Sequence, residues 1–181
     1  MLVLDSASLA RAARAALLAE LARLVSQGAF QQHTVLGAAW HAAHVLDVLA
    51  RSEPSVRPWT EYSLVCLNEI PDEELDALSR WTGLLVPRNG PDAGRNAGAA
   101  SALAAAEARQ AIAVLDDLEL VTVAAGAGHD VKVLWLPAVL DVFVAGGWAA
   151  TDAARSLASL RGQPGAHWSD DDLAVLEWAR S

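Results

Sequence analysis

Apolar positions along the chain alternate between two rhythms. Short unbroken runs read as buried strands: Leu2–Leu4, Tyr62–Leu67, Ala111–Leu115 and Val131–Leu136. Between them apolar residues recur every three or four positions, the spacing of a helix with one face inward. Leu9, Leu17, Leu18, Leu21 and Leu24 predict one helix from Ser8 to Val25, stopped by Gly28. A brief extended piece at Thr34–Leu36 leads to a helix over about Ala38–Arg51. That helix halts before Glu53-Pro54, since proline pushes its predecessor out of the helical region.

Residues 52–59 read as a loop. Pro71 followed by Asp72, Glu73 and Glu74 marks a helix start, because proline suits the first turn and acids suit its positive end. This helix is expected to reach about Trp81 and break at Gly83, with Leu84–Val86 extended. Pro87–Asn96, with its Pro, Asn-Gly and Pro-Asp, is the clearest loop. An alanine-rich helix over about Ala97–Gln110 follows, and after Asp117 a short helix closed by Gly126 and Gly128. The C-terminal third reads as helices Pro137–Ala145, Thr151–Leu160 and Ser169–Arg180. Ser169 with Asp172 three residues on is close to a capping box.

Strands alternating with helices predict βαβ units, and so an α/β fold whose mostly parallel sheet is covered on both faces. Ligands of such folds bind beyond the carboxyl ends of the strands. Asp5 closes the first strand, and Asp116-Asp117 close another. The sequence therefore places three carboxylates at one end of the sheet.

Composition narrows the picture. With 181 residues the chain suits one domain, and 54% hydrophobic with 19% charged residues excludes disorder. Every apolar run is too short to cross a bilayer, and no basic-then-apolar leader opens the chain, so a cytoplasmic protein is expected. A net charge of -9 argues against broad electrostatic capture of nucleic acid. The single cysteine, Cys66, excludes an intramolecular disulfide and a cysteine-based zinc site; a buried structural thiol is expected. No phosphate-binding Gly-Lys-Ser/Thr loop, dinucleotide glycine fingerprint or Gly-x-Ser-x-Gly elbow is present.

Three stretches in this order resemble the PIN domain, the fold of metal-dependent ribonucleases that include many bacterial toxins of toxin–antitoxin systems. Leu2-Val3-Leu4-Asp5-Ser6-Ala7-Ser8-Leu9 is similar to the family's opening strand with its aspartate and small polar residue. Ala97-Gly98 and the alanine-rich helix running into Ala113-Val114-Leu115-Asp116-Asp117 resemble the central Gly-Glu helix and the acid-tipped strand after it. Val131–Trp148 and the Trp168-Ser169-Asp170 helix start resemble the tail of a toxin-like subgroup. The likeness spans nearly the whole chain, with residues 52–86 matching least.

The resemblance implies a three-layer PIN-like domain over 1–181, with a helical C-terminal extension from about 149. It further implies magnesium or manganese held by Asp5, Asp116 and Asp117, RNA as substrate, an antitoxin or other protein partner, and a homo-oligomer. Two departures stand against catalysis. The glutamate expected after Gly98 is Ala99, and the early helix reads Ala39-Trp40-His41-Ala42-Ala43-His44, with no acid before Asp47. The implied function is thus a PIN-like relative of toxin endoribonucleases with an incomplete acidic site. The alternative is an inactive scaffold or binding module.

The residues also admit plainer roles. Asp5 and Asp116-Asp117 are suited to capping the helices that follow them. His41, His44 and Asp47 share a helical face, which reads as a polar face or interface before it reads as zinc ligands; on the resemblance, His41 or His44 stands near the missing glutamate. Ser6, Asp92 and Asn96 are auxiliary oxygen donors, and Arg88 and Arg95 are candidates for phosphate contact. The seven tryptophans are expected to pack in the core with partnered indole N–H groups; Trp168 and Trp178 are candidates for an oligomer interface.

Overall fold

The computed structural model describes residues 1–30, 33, 35–86, 93–165 and 168–176, the side chains of Trp40, Ala93 and Arg95 excepted. Five strands, β1 (Leu2–Leu4), β2 (Leu36–Ala39), β3 (Leu64–Leu67), β4 (Ile112–Leu115) and β5 (Lys132–Trp135), form one parallel sheet in the order β3-β2-β1-β4-β5. All four pairings are parallel, with Leu4 beside Ala38 on one flank and Val114 on the other. The expected α/β architecture is therefore present.

Strand alternation divides the interior into two cores. Leu2, Leu4, Ile112 and Val114 face one way, onto α1 (Ser6–Arg14), α2 (Leu18–Ser26), α3 (Trp40–Ser52), α7 (Leu136–Ala145) and α8 (Ala150–Arg161). Val3, Ala113 and Leu115 face the other way, onto α4 (Asp72–Leu85), α5 (Ala93–Ala108) and α6 (Leu118–Gly126). The alanines of α5 between Ala99 and Ala106 are solvent-free, which lets this helix lie close to the sheet. Trp81 of α4 is fully buried against α5 and donates its indole N–H to Glu107 at 2.8 Å; Arg80 pairs with the same carboxylate. Arg109, just past the end of α5, forms a second ion pair with Glu74 of α4.

Several boundaries differ from those expected, for identifiable reasons. The helix expected over Ser8–Val25 is two helices. Ala16 takes a left-handed φ of 56°, Leu17 N–H reaches back to Ala12 C=O and Ala16 N–H to Ala13 C=O, which is the Schellman closure. An alanine stands where glycine usually does, so the break carries no glycine signal. In α4, by contrast, Gly83 stops nothing. It faces solvent while Leu85 turns inward, and packing on α5 extends the helix through the position expected to be a strand. The terminal helix, α9 (Asp170–Leu173), is one turn long, opened by the expected Ser169–Asp172 capping box. It gives way to a turn that lets both Leu173 and Leu176 enter the first core; residues 177–180 of the expected helix lie outside the described residues. Cys66 is half-buried on the edge strand β3 and not fully enclosed; burial pushes its thiol pKa up, and its Sγ–H donates to Asn68. Among the described residues no helix is long and apolar enough to cross a membrane.

Candidate site at the carboxyl edge of the sheet

The connection between strands reverses direction between β1 and β4, and such a reversal opens a crevice at the carboxyl edge. Asp5 and Asp116 follow these two neighbouring strands directly. Asp5 N–H donates to Val114 C=O at 3.0 Å, continuing the ladder one residue past β1. The structure thus brings together the acids that the sequence placed at strand ends.

Each of them is already engaged. Asp5 is 2% exposed and caps α1, its Oδ1 accepting from Ser8 N–H at 2.7 Å. Ser8 is itself buried and donates its hydroxyl to Val114 C=O at 3.3 Å. Burial pushes the Asp5 pKa up to about 6, against the opposing pull of its hydrogen bonds to Ser8; the neighbouring Asp116 charge adds to the rise. Asp117 caps α6, its Oδ1 accepting from Glu119 N–H at 2.8 Å.

Asp116 meets Arg11. The guanidinium donates from Nε to Oδ1 at 2.6 Å and from Nη2 to Oδ2 at 2.7 Å, a bidentate pair with both side chains less than a tenth exposed. Nη2 also donates to Gly165 C=O at 2.8 Å and Nη1 to Gln163 C=O at 3.4 Å. Trp168 lies 4.9 Å from the guanidinium carbon, face on, and donates its indole N–H to Asp116 C=O at 3.0 Å. Trp135 donates to the same carbonyl at 3.1 Å and meets Trp168 edge to face. The segment after α8 is thereby drawn over the edge of the sheet. Trp168 is 7% exposed and packs into this cluster, so the interface role considered for it does not hold; Trp178 lies outside the described residues.

Sequence reasoning missed Arg11. Asp5, Ser8 and Arg11 are spaced by threes and share one face of α1, which was the available signal. An arginine between leucines reads as solvated, and only the fold turns this one inward.

The other candidates scatter. Ser6, at the first position of α1, lies 3.3 Å from His41 Nδ1, and Gly98 of α5 packs so close that a Cβ there would stand 3.0 Å from Ser6 Oγ. His41 is exposed at the start of α3. His44 lines a small hollow with Cys66 and Asn68, while Asp47 turns to accept from Trp59 N–H at 3.3 Å. Asp47 lines the same hollow, and no cluster of three metal-ligating side chains occurs among the described residues. Asn96 serves structure: its Nδ2 donates to Leu85 C=O at 2.7 Å, tying α5 to the end of α4. Asp92 and Arg88 lie outside the described residues, as does the side chain of Arg95.

Set against the needs of a divalent cation, this donor set does not fit. Magnesium or manganese requires several carboxylate oxygens aimed at one point. Here the Asp116 oxygens are both taken by a cation of the protein's own, and Asp5 and Asp117 cap helices. Ala99 is fully enclosed in the second core. What remains open is a cleft of about 460 Å³ lined by Asp116, Asp117, Glu119, Thr122, Trp168 and Asp172. No protein-family model matches the chain, and no curated protein matches it.

Proposed function

We propose that the chain is a PIN-like protein without metal-dependent RNA hydrolysis, working as a binding or regulatory module through a protein partner. The observation that carries this reading is the buried, bidentate Arg11–Asp116 pair at the acid that the resemblance assigns to the metal. A guanidinium so placed supplies the compensating charge that a catalytic site takes from its ions. The enclosed Ala99 and the exposed His41 support it, since neither position contributes a carboxylate. The net charge of -9 also disfavours RNA as a ligand. A protein partner suits the half-exposed apolar side chains of Val65 on the edge strand, Ile70 after it, and Leu75 and Leu84 on α4.

The competing reading is a magnesium- or manganese-dependent endoribonuclease held by an antitoxin. It needs Asp116 free of Arg11. The deciding experiment is manganese titration with an RNA-cleavage assay on wild type and Asp5→Asn. The proposal predicts no metal-dependent cleavage; robust cleavage that Asp5→Asn abolishes would overturn it.

A further inference from the structure

We infer that the outer edge of β3 is a docking site for an extended, basic segment of a protein partner, which adds to the five-stranded sheet as one more strand. The inference rests on the proposed role as a module acting through a partner, and it names the surface and the chemistry of what binds there.

The two edges of the sheet are built differently. Among the described residues β3 pairs with β2 alone, and no other hydrogen bond reaches the backbone of residues 65–67. In a parallel edge strand the N–H and C=O of alternate residues point outward, a ready template for another chain. Natural edge strands are blunted against such pairing by a lysine, a proline or a bulge. β5, at the opposite edge, carries an exposed lysine, Lys132, the only lysine of the chain. β3 reads Leu64-Val65-Cys66-Leu67, in unbroken register with β2, and carries none of these devices.

Side chains alternate along β3, so Val65 shares the face of Leu67, which enters the second core. Val65 is nevertheless 43% exposed, and Ile70 beyond the strand is half-exposed. An apolar side chain of an added strand would cover Val65. On the opposite face Cys66 borders the small hollow walled by Asp47 and Trp59, where an acid and an indole suit a cationic side chain. Apolar and basic residues in alternation therefore match the two faces. The surrounding charge selects the same partner. From residue 61 to 79 the chain carries Glu61, Glu69, Asp72, Glu73, Glu74 and Asp76, with no lysine or arginine. Arg57 answers Glu61 and Arg109 answers Glu74, while the other four acids are exposed. Two copies paired edge to edge would set these acids against each other, which opposes self-association. A basic strand turns the same charge into attraction.

The test selects displayed random peptides of about ten residues, a strand with its flanks, on the full chain. The enriched peptides are then measured by fluorescence anisotropy and by their effect on amide exchange. They are expected to alternate Lys or Arg with Val, Ile or Tyr, and to slow exchange at residues 64–67. Val65→Lys, which installs an edge lysine, and Glu69→Lys/Asp72→Lys should each weaken binding about tenfold or more. Lys132→Glu, on the other edge, should leave it unchanged. Should a variant unfold, the exchange pattern of wild type with its peptide still decides, and protection confined to regions away from β3 overturns the inference. No enrichment, enrichment of acidic or helical peptides, or binding that Val65→Lys leaves intact also overturns it. So does a wild-type dimer that Val65→Lys dissolves. Each of these outcomes leaves the proposed absence of RNA hydrolysis standing, whereas metal-dependent cleavage by wild type overturns that function and leaves the peptide result intact.

Discussion

Arg11 and Asp116 lie 105 positions apart and meet as a two-pronged ion pair beneath the ring of Trp168. The contact joins the first helix to the end of β4, and through Gln163 and Gly165 it joins both to the C-terminal segment. Three parts of the chain that are remote in sequence depend on one guanidinium.

Loss of either partner leaves the other charge buried alone. Arg11→Met or Asp116→Leu should each destabilise the chain by roughly 3–5 kcal/mol, the usual cost of orphaning one member of a buried pair. The double variant should be less destabilised than the sum of the two, because no lone charge remains. Urea unfolding of all four proteins measures the coupling, and strict additivity would show that the pair does not act as a unit.

Asp5 makes stability depend on pH in a defined direction. Its folded pKa of about 6 lies above the ordinary carboxylate value, so the folded state holds the proton more tightly than the unfolded chain. The stability this contributes is complete below pH 4 and is lost as pH rises through 6. At neutral pH the ionised, buried carboxylate costs on the order of 3 kcal/mol. Asp5→Asn keeps an oxygen able to cap α1 and removes the charge. It should be more stable than wild type at pH 7.5, with the gap closing toward pH 4. Denaturation curves across that range check the sign; a variant less stable at neutral pH contradicts the account.

The Asp116 carbonyl accepts from two indoles, at 3.1 Å from Trp135 and 3.0 Å from Trp168. Trp135→Phe or Trp168→Phe leaves one donor in place, so each should cost about 1 kcal/mol for the lost bond, with some packing loss added. The pair together should cost more than the sum, because the buried carbonyl is then orphaned. Thermal or urea unfolding of the three variants reads this directly.

The turn between α1 and α2 holds an alanine in the left-handed region, at φ 56°. L-residues lose roughly 1 kcal/mol there and glycine does not. Ala16→Gly should therefore stabilise the protein modestly, by about 0.5 kcal/mol once the extra freedom of glycine in the unfolded chain is counted. Gly147, at φ 98° after α7, is the matched control, and Gly147→Ala should destabilise.

Much of the architecture was legible in the sequence, for local reasons. Apolar runs of strand length, helical spacing and the acids after β1 and β4 are set by nearest neighbours, so the parallel α/β fold and the juxtaposition of Asp5 with Asp116 could be anticipated. The break at Ala16 and the continuation through Gly83 could not. Closure at Ala16 follows from hydrogen bonds that tolerate alanine, and α4 is prolonged by the burial of Leu85 against a distant part of the chain.

The site divides in the same way. That three carboxylates stand at the carboxyl edge is a property of the sequence, since strand ends and helix caps are written locally. Whether they face a metal or a guanidinium is decided only by tertiary structure. The spacing from Asp5 and Ser8 puts Arg11 on their face of α1, but its charge is tolerated in the interior only because folding brings Asp116, two carbonyls and an indole face to it. An ion's worth of positive charge is thus supplied by a residue whose partner lies 105 positions away.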